Sequence, residues 1–429
     1  MSARGLADWL DFIGRQHPDA IALGLERVRE VLSRMGTRIA CPVISVAGTN
    51  GKGSVCALLE SILRASGRRV GVYTSPHLLR YSERVRIDGG EAQGDALCEA
   101  FEAVERARGS VPLTYFEYGT LGALWLFARA APEALVLEVG LGGRLDAVNV
   151  VDADCAVITG IALDHVPLLG ATREAIGREK AGIFRRGCPA VVADPDPPPS
   201  VLEEAARLGA RLLLLGRDFG CRVHPGQWDY WGPGGKRSSL AHPALRGPRQ
   251  LRNASAALAA LDALADRLPV SMQDVRRGLA EVVLAARFQV LPGRPQVILD
   301  VAHNPEAAQA LADNLGAAGF AAETIAVFGA LRDKDIAGVV RAVAPRITRW
   351  HLAGLEGARG SGAGELARAL EAAGVATPRA EYPSVRQAFA AARERAGEND
   401  KIVVFGSFLT VADAMRALAA GGSDRPTYG

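Results

Sequence analysis

The sequence predicts an α/β protein with two domains. Its 429 residues exceed the usual size of a single domain, and 49% of them are apolar, which is enough to fill large cores. Apolar runs such as "PVISVAG" and "ALVLEVG" alternate with helical stretches such as "GSVCALLESILRAS". Continuous apolar strands that alternate with helices indicate a mostly parallel sheet covered on both faces.

The elements follow one another in a regular order. The N-terminal strands are predicted at "PVISVAG", "RVGVYTS", "ALVLEVG", "CAVITGI" and "PAVVADP", and the first helix ends before Gly67. A polar stretch over about 217–243 predicts a hairpin, and a helix follows at "RNASAALAALDALADRL". Residues 289–295, "QVLPGRP", predict a linker because proline and glycine cluster there. We therefore divide the chain into a domain at 1–288 and a second α/β domain at 296–429.

Composition narrows the class of protein. The net charge is +3 with acids and bases interspersed, which does not suggest binding to nucleic acid or to a membrane surface. The first twenty residues carry charges throughout, unlike a signal peptide, and the six cysteines form no CxxC pair. We therefore expect a cytoplasmic protein. The chain has 45 arginines and only five lysines, so each lysine is a candidate for a role that needs a primary amine.

The stretch "VAGTNGKGS" predicts a phosphate site. A strand, a glycine turn and a helix start aim backbone N–H groups at an anion. Lys52 would reach the β- and γ-phosphates, and Ser54 could hold Mg²⁺. The match to the Walker pattern is imperfect, because Val46 replaces its first glycine and Gly53 separates the lysine from the hydroxyl. A plain strand-to-helix turn with an exposed lysine is the alternative.

Polar residues follow other predicted strands of the first domain, where ligands bind in parallel sheets. Glu138 suits Mg²⁺, or alternatively pairs with Arg144. Asp164 and His165 end another strand, and the alternative for this histidine is a structural role.

Lys180 lies on a predicted helix, where an ion pair with Glu179 is the alternative. Strand ends of the second domain carry further candidates, for which turn formation is the alternative. Asn304 and Pro305 would begin a helix there, and the candidates are Asp300, His303, Lys334 and Ser407.

Taken together, these motifs resemble the Mur ligase superfamily and, within it, the bifunctional dihydrofolate synthase/folylpolyglutamate synthase group. The resemblance rests on "VAGTNGKGS", "YTSPHLLRYSERVRI", "LTYFEYGTL", "LEVGLGGRLDAVNVVDAD", "IALDH", "GREKAGIF", "RNASAALAAL", "DVAHNPEAA" and "DKDIAG", which occur in the family's order across nearly the whole chain. It implies an N-terminal P-loop-like ATPase domain and a smaller C-terminal Rossmann-like domain.

The resemblance also assigns roles to residues. Catalytic roles would fall on Lys52, Glu138, His165 and Lys180, the last as a carbamate formed with CO₂. The metal would be held by Ser54, Ser75, Glu138 and His165. ATP would contact Thr49, Asn50, Gly51, Lys52, Gly53, Ser54, Asn253, Arg287, Asp300 and His303. The pterin pocket would use Ala20, Ile21, Ala22, Leu23, Thr114, Tyr115, Phe116, Leu145, Asp146 and Ala147. One departure is Ala286, where the family usually has glycine.

The activity so implied is ATP-dependent ligation of L-glutamate to dihydropteroate and of further γ-linked glutamates to reduced folates, through an acyl phosphate. The cofactors would be ATP, two Mg²⁺ ions and the carbamate, and the partners would be small molecules only, with the chain acting as a monomer. The alternatives are a ligase limited to polyglutamylation, a muramyl-peptide ligase and an ATP-dependent switch. The phosphate loop begins near residue 47, so the nucleotide-sugar domain of muramyl ligases is not expected before it.

Overall fold

The computed structural model describes residues 4–421. The parts of the two predicted domains at 1–3 and 422–429 lie outside the described residues. The chain forms two compact units. The first comprises the residues up to Ala244 together with Leu251–Val282, and the second comprises Leu245–Gln250 together with the residues from Val283 onward.

The first unit is built on an eight-stranded sheet. Its strands are β1 (Val43–Ala47), β2 (Val70–Tyr73), β3 (Val85–Ile87), β4 (Gly90–Glu91), β5 (Ala134–Glu138), β6 (Cys155–Ile158), β7 (Pro189–Val192) and β8 (Arg211–Leu214). They lie in the order β4-β3-β2-β5-β1-β6-β7-β8, and the six from β2 to β8 run parallel. Every residue of β1 and β5 is buried, as expected for strands covered on both faces. The predicted mostly parallel sheet is confirmed.

Helices follow most of these strands. They are α1 (Leu6–Ile13), α2 (Glu26–Met35), α3 (Lys52–Ala65), α4 (Gly94–Arg108), α5 (Tyr115–Ala130), α6 (Val166–Leu169), α7 (Arg173–Ala181), α8 (Pro199–Leu208), α9 (Arg249–Ala263) and α10 (Met272–Glu281). Helix α3 ends before Gly67, as predicted, and Gly67 has a positive φ of 82°. Helix α5 begins with a capping box, in which Thr114 and Glu117 each accept a hydrogen bond from the other's backbone N–H.

Two apolar clusters hold this unit together. One joins β2 and β5 to helices α1, α2, α4 and α5, and its large members include Tyr73, Phe101 and Phe127. The other joins β1, β6 and β7 to helices α7 and α8. Packing against these helices holds the central strands in place. The loops that leave the carboxyl ends of the strands therefore begin at well-defined positions.

The stretch predicted as a hairpin forms a separate three-stranded antiparallel sheet. Its strands are β9 (Gly220–His224), β10 (Gln227–Gly232) and β11 (Gly235–Ala241), in the order β11-β10-β9. The prediction missed one strand, because β9 and β11 interleave polar with apolar residues and form no continuous apolar run.

The second unit is a smaller α/β layer with a six-stranded sheet. Its strands are β12 (Gln289–Leu291), β13 (Gln296–Leu299), β14 (Thr324–Phe328), β15 (Arg349–Ala353), β16 (Arg379–Tyr382) and β17 (Lys401–Phe405). They lie in the order β12-β13-β17-β14-β15-β16, and all but β12 run parallel. The predicted linker at 289–295 thus contains β12, which pairs antiparallel with β13, and "PGRP" makes the turn between them.

The remaining helices complete this unit. They are α11 (Pro305–Ala317), α12 (Ile336–Val343), α13 (Ala363–Ala372), α14 (Val385–Arg395) and α15 (Phe408–Gly421). Asn304 caps α11 by accepting from the Ala307 N–H, and Pro305 is its first residue, as predicted. Within residues 4–421, no helix is long and apolar enough to cross a membrane.

Helix α10 packs so closely on α3, the helix that follows the phosphate loop, that glycine is required at the contact. The Ser61 hydroxyl donates to the Gly278 carbonyl at 2.8 Å, and a Cβ on Gly278 would lie 2.5 Å from Ile62 Cα. We expect Gly278→Ala to lower the free energy of unfolding by about 1–3 kcal/mol, since backbone cannot yield to the added methyl. Urea unfolding followed by circular dichroism measures this change.

The matched control is Gly364 on α13, where the nearest atom to an added Cβ is Glu381 Oε2 at 3.5 Å. Gly364→Ala is expected to be neutral or to stabilise by about 0.5–1 kcal/mol through helix propensity. Equal stability of Gly278→Ala and the unmodified chain would contradict the packing argument.

Candidate active site

The predicted phosphate loop joins β1 to α3, and it needs glycine at two positions. Gly48 has a φ of +147°, and a Cβ there would lie 1.9 Å from the Thr159 hydroxyl. Gly51 has a φ of +92°, and a Cβ there would lie 2.7 Å from Asn253 Oδ1. Asn253, a predicted nucleotide contact on α9, therefore lies against the loop. Gly53 is buried in the first turn of α3, where the helix N-terminus favours an anion.

A backbone hydrogen bond and a side-chain hydrogen bond fix the loop to the end of strand β6. The Thr49 N–H donates to the Gly160 carbonyl at 2.7 Å, and the Thr159 hydroxyl donates to the Asn50 carbonyl at 2.6 Å. Two predicted ATP contacts are thus held in place by residues that follow the neighbouring parallel strand. A loop held in this way is organised for a phosphate group before the ligand arrives.

Two of the five lysines meet at one backbone carbonyl. Lys52 Nζ donates to the Gly48 oxygen at 3.1 Å and to the Thr49 oxygen at 3.2 Å. Lys180 Nζ donates to the same Gly48 oxygen at 2.9 Å. Lys180 lies on α7, as predicted, and is buried. Burial, assisted by the Lys52 charge, lowers the pKa of Lys180 to about 7, so a large fraction of this amine is neutral near pH 7.

Arg144 and Glu179, which were the alternative partners of Glu138 and Lys180, form an ion pair with each other. Arg144 Nη2 and Nε donate to Glu179 Oε1 at 2.7 and 3.1 Å. Glu179, the alternative partner of Lys180, therefore pairs with Arg144 instead. Arg144 was in turn the alternative partner of Glu138.

The metal-ligand candidates come from strand ends and from the first turn of α3. Glu138 is the last residue of β5 and is buried, and its Oε2 accepts from the Ser75 N–H at 3.1 Å. Ser75 follows β2, the strand next to β5. Ser54 is buried in the first turn of α3. Carboxylate and hydroxyl oxygens are the kind of ligand that Mg²⁺ prefers, so the chemistry of these side chains fits the ion.

His165 follows β6 and begins the short helix α6. Its φ is +51°, its N–H donates to Asp164 Oδ1 at 2.8 Å, and its Nε2 lies 3.9 Å from the same oxygen. A carboxylate beside the imidazole is a common arrangement around metal-binding histidines. No cluster of three or more His, Cys, Asp or Glu with metal-binding geometry occurs in the described part of the chain. The predicted set has only two residues of these types and includes serine hydroxyls.

The three segments predicted for the pterin pocket come together in the first unit. The Gly24 N–H donates to the Leu145 carbonyl at 3.2 Å, which joins the end of segment 20–23 to segment 145–147. Arg27 Nη2 donates to the Ala22 carbonyl and to Glu117 Oε1, both at 2.7 Å. Glu117 Oε2 accepts from the Thr114 N–H at 2.8 Å, which brings in segment 114–116.

Aromatic and acidic side chains lie where the three segments meet. A Cβ on Gly140 would lie 2.5 Å from the Phe116 ring, and that ring packs 6.0 Å from Tyr73. Asp146 is buried and accepts from the N–H groups of Leu141 and Val148 at 2.8 and 3.0 Å. Burial raises the pKa of Asp146 to about 7 despite these donors, so its carboxyl group exchanges a proton near neutral pH. The other predicted members, Ala20, Ile21, Leu23, Tyr115 and Ala147, lie in the same three segments.

In the second unit, Asp300 holds the turn that carries Arg287. Its carboxylate accepts from the N–H groups of Phe288 and Ala302 at 2.9 and 2.8 Å. Burial raises the pKa of Asp300, and the Arg287 charge opposes that rise. Arg287 Cζ lies 5.7 Å from the Phe408 ring centre, and the His303 ring lies 6.2 Å from it. These three predicted nucleotide contacts therefore share one small region.

The other two candidates of this unit belong to turns. Ser407 accepts from the Thr410 N–H at 3.0 Å at the start of α15, and Lys334 lies in the turn before α12. The Ser407 hydroxyl thus takes part in the turn that begins α15, in line with the turn-formation alternative.

Ala286 adopts the backbone conformation that glycine usually supplies. Its φ is +58°, its N–H donates to Gln289 Oε1, and its carbonyl accepts from the Val301 N–H at 3.0 Å. The left-handed conformation costs a non-glycine residue roughly 1–2 kcal/mol. The two hydrogen bonds hold Ala286 in the left-handed backbone conformation that glycine would adopt in the turn before Arg287.

Sequence analysis missed several residues that shape these sites. Arg27 and Glu117 connect two of the predicted pterin segments, and Phe408 lies beside two predicted nucleotide contacts. Asp194 follows strand β7 and could have been identified, because it ends an apolar run as Glu138 and Asp164 do. The Arg27–Glu117 and His303–Phe408 contacts join residues that lie far apart in sequence, so no local pattern marks them.

Each of the two units contains a region that matches a known protein family. Residues 46–261 match the Mur ligase middle domain, and residues 286–408 match the glutamate ligase domain of the Mur ligases. The phosphate loop, the strand-end acids and the second α/β unit thus define an ATP-dependent ligase.

Individual relatives narrow this class. The chain is 46% identical over 420 residues to the dihydrofolate synthase/folylpolyglutamate synthase of Escherichia coli, covering 98% of this chain and 97% of that one. The structure of E. coli FolC in complex with DHPP and ADP superposes with a TM-score of 0.93 over 97% of this chain and 98% of that one, at 46% identity. A bifunctional folylpolyglutamate synthase/dihydrofolate synthase with Mn, AMPPNP and L-glutamate bound gives a TM-score of 0.90, with the same identity and coverage. The chain belongs to the Mur ligase family, in its dihydrofolate synthase/folylpolyglutamate synthase group.

Lys52 and Lys236 provide a matched test of the phosphate site. Lys52 contacts the phosphate loop, whereas Lys236 is the second residue of β11, where its largely exposed side chain pairs with Asp229 at 3.2 Å. We expect Lys52→Ala to lower kcat/KM by about 10³-fold or more, since a positioned cation at the phosphates supplies much of the catalysis. Lys236→Ala should leave kcat/KM close to that of the unmodified chain. Steady-state phosphate release measures both, and equal effects would mean that the phosphate site lies elsewhere.

Proposed function

We propose that this chain ligates L-glutamate to dihydropteroate to form dihydrofolate, and adds further γ-linked glutamates to reduced folates. One observation carries the proposal. The loop that leaves Glu138 at the end of β5 runs directly into the segment 145–147, which closes on segments 20–23 and 114–116. A site for an aromatic acid is therefore continuous with the candidate phosphate and metal residues in the first unit.

The chemistry explains why phosphate and acid sites must adjoin. A carboxylate is a poor acyl donor, because oxide is a poor leaving group. A carboxylate oxygen of the substrate attacks the γ-phosphorus of ATP, ADP leaves, and an acyl phosphate forms. The amine of glutamate then attacks the acyl carbon, phosphate leaves, and the nitrogen loses a proton.

The chain's own residues have separate tasks in this scheme. Lys52 and the backbone N–H groups of the phosphate loop bind and orient the phosphates. Ser54, Ser75, Glu138 and His165 would hold Mg²⁺, and bound Mg²⁺ neutralises charge on the phosphate oxygens. Asp300, Arg287, His303 and Asn253 would bind the rest of the nucleotide.

Lys180 would take part as a carbamate. A neutral amine can add CO₂ and lose a proton, which gives an anion with two oxygens on a long side chain. The lowered pKa of Lys180 and its burial beside Gly48 support this modification, since much of the amine is neutral near pH 7. The two oxygens would suit the surroundings of a Mg²⁺ ion.

Two further features complete the proposal. We assign the protein to the cytoplasm as a monomer that uses small molecules alone, and its six free cysteines fit a reducing compartment. The ordered convergence of three pterin segments favours the bifunctional activity over polyglutamylation alone.

The decisive experiment follows the product masses. The protein is incubated with ATP, Mg²⁺, glutamate and dihydropteroate, and mass spectrometry is expected to show the addition of one glutamate to dihydropteroate. Phosphate release should require both the acid and glutamate. ATP hydrolysis without the pterin and no amide product in its presence would disprove the proposal, whereas extension of tetrahydrofolate alone would limit it to polyglutamylation.

Lys180 provides a test of the carbamate. We expect Lys180→Arg to be nearly as inactive as Lys180→Ala, because arginine stays protonated and cannot add CO₂. Acetate should partly restore Lys180→Ala, since a small carboxylate can occupy the vacated space. Carbamate formation in the unmodified chain should increase between pH 6 and pH 8, as the amine with a pKa of about 7 loses its proton. ¹³C NMR with labelled bicarbonate monitors this step.

The controls separate the carbamate from a structural lysine. Acetate should not restore Lys52→Ala, whose lost group is a cation. An active Lys180→Arg variant, together with no effect of acetate on Lys180→Ala, would show that only the positive charge of Lys180 matters.

A further inference from the structure

The backbone that leads from β6 to His165 is held on both sides over residues 160–162. On one side, Thr49 of the phosphate loop binds it: the Thr49 N–H donates to the Gly160 carbonyl at 2.7 Å, and the Thr49 hydroxyl accepts from the Ala162 N–H at 3.0 Å and donates to the Ala162 carbonyl at 3.1 Å. The N–H and carbonyl of Ile161, which lies between Gly160 and Ala162, bind other side chains.

Asp194 and Arg173 bind the two peptide groups of Ile161. Asp194 Oδ2 accepts from the Ile161 N–H at 2.6 Å, and Arg173 Nε donates to the Ile161 carbonyl at 2.9 Å. The two side chains also bind each other, because Arg173 Nη2 lies 3.2 and 3.3 Å from the two oxygens of Asp194. Asp194 is only 5% exposed, and its carboxyl oxygens are surrounded by protein donors. Such a carboxylate is costly to bury without a specific role for its acceptors.

The Ile161 peptide groups connect His165 to two neighbouring elements of the fold. Ile161 lies four residues before His165, and the Asp194 carboxylate is itself fixed by the Asp196 N–H at 2.9 Å. Arg173 begins α7, the helix that carries Lys180, and it also donates to the Asp196 carbonyl at 2.7 Å. The Ile161 peptide groups are thus tied to the end of β7 and to the start of α7.

We propose that Asp194 and Arg173 are positioning residues for His165: they fix the Ile161 peptide groups so that the imidazole stays at the metal site beside the phosphate loop. This inference rests on the proposed function, since that function makes His165 a metal ligand. Neither side chain is among the predicted metal ligands. Their effect passes through the backbone of residues 161–165.

Mn²⁺ affinity provides the test, measured by electron paramagnetic resonance with AMPPNP present. Asp194→Asn keeps the size of the side chain but turns an amide donor toward Arg173 or the Ile161 N–H. We expect it to weaken Mn²⁺ binding about 10- to 100-fold, as loss of supporting contacts around metal ligands typically does. Glu203→Gln is the control, because Glu203 forms only an exposed ion pair with Arg178 at 3.5 Å, and its Mn²⁺ affinity should match that of the unmodified chain.

A double variant separates positioning from general destabilisation. If Asp194 acts through His165, then Asp194→Asn combined with His165→Ala should bind Mn²⁺ no more weakly than His165→Ala alone. Additive losses would overturn the proposal, because they would show an effect that does not depend on His165. Should Asp194→Asn fail to fold, Arg173→Lys takes its place. It removes the forked contact but keeps the charge, and Mn²⁺ affinity equal to the unmodified chain would overturn the proposal.

Product formation by the unmodified chain is measured on the same preparations. If that chain makes the glutamate adduct while Asp194→Asn binds Mn²⁺ normally, the positioning role is wrong and the proposed function stands. If the unmodified chain makes no adduct, the proposed function itself fails.

Discussion

The candidate site depends on one interaction: the side chains of Lys52 and Lys180 both bind the Gly48 carbonyl oxygen. Two ammonium groups at 2.9 and 3.1 Å from one oxygen repel each other, and the buried one is the easier to neutralise. Gly48 can offer that carbonyl only because its positive φ and lack of a side chain admit the Thr159 hydroxyl. The Gly48 backbone thus brings the Lys52 side chain and the buried Lys180 amine to the same carbonyl oxygen.

The sequence predicted the features that local pattern determines. Continuous apolar runs identified the parallel strands, and the rule that ligands collect at their carboxyl ends led to Glu138 and His165. The phosphate loop was recognisable despite its imperfect match, because glycine spacing and a helix start have a direct geometric meaning. Strand β12 was not predicted, since proline and glycine are found equally in linkers and in tight turns.

Side-chain pairing was beyond the reach of the sequence alone. Nothing local indicates that Glu179 selects Arg144, or that Arg27 finds Glu117 ninety residues away. The roles of Lys180 and of the pterin segments came from family resemblance, and the structure adds why those segments can cooperate. A backbone hydrogen bond from Gly24 and side-chain hydrogen bonds from Arg27 bring together segments that lie far apart in the sequence.

The scarcity of lysine has a practical consequence for handling the molecule. Of the five lysines, Lys180 and Lys401 are buried, Lys52 and Lys334 are half-buried, and Lys236 has 62% of its side chain exposed. Apart from the α-amino group, Lys236 beside the turn between β10 and β11 is therefore the most exposed amine that an acylating reagent in limiting amount encounters. Covalent coupling through amines would therefore involve far fewer attachment points than in proteins with many surface lysines.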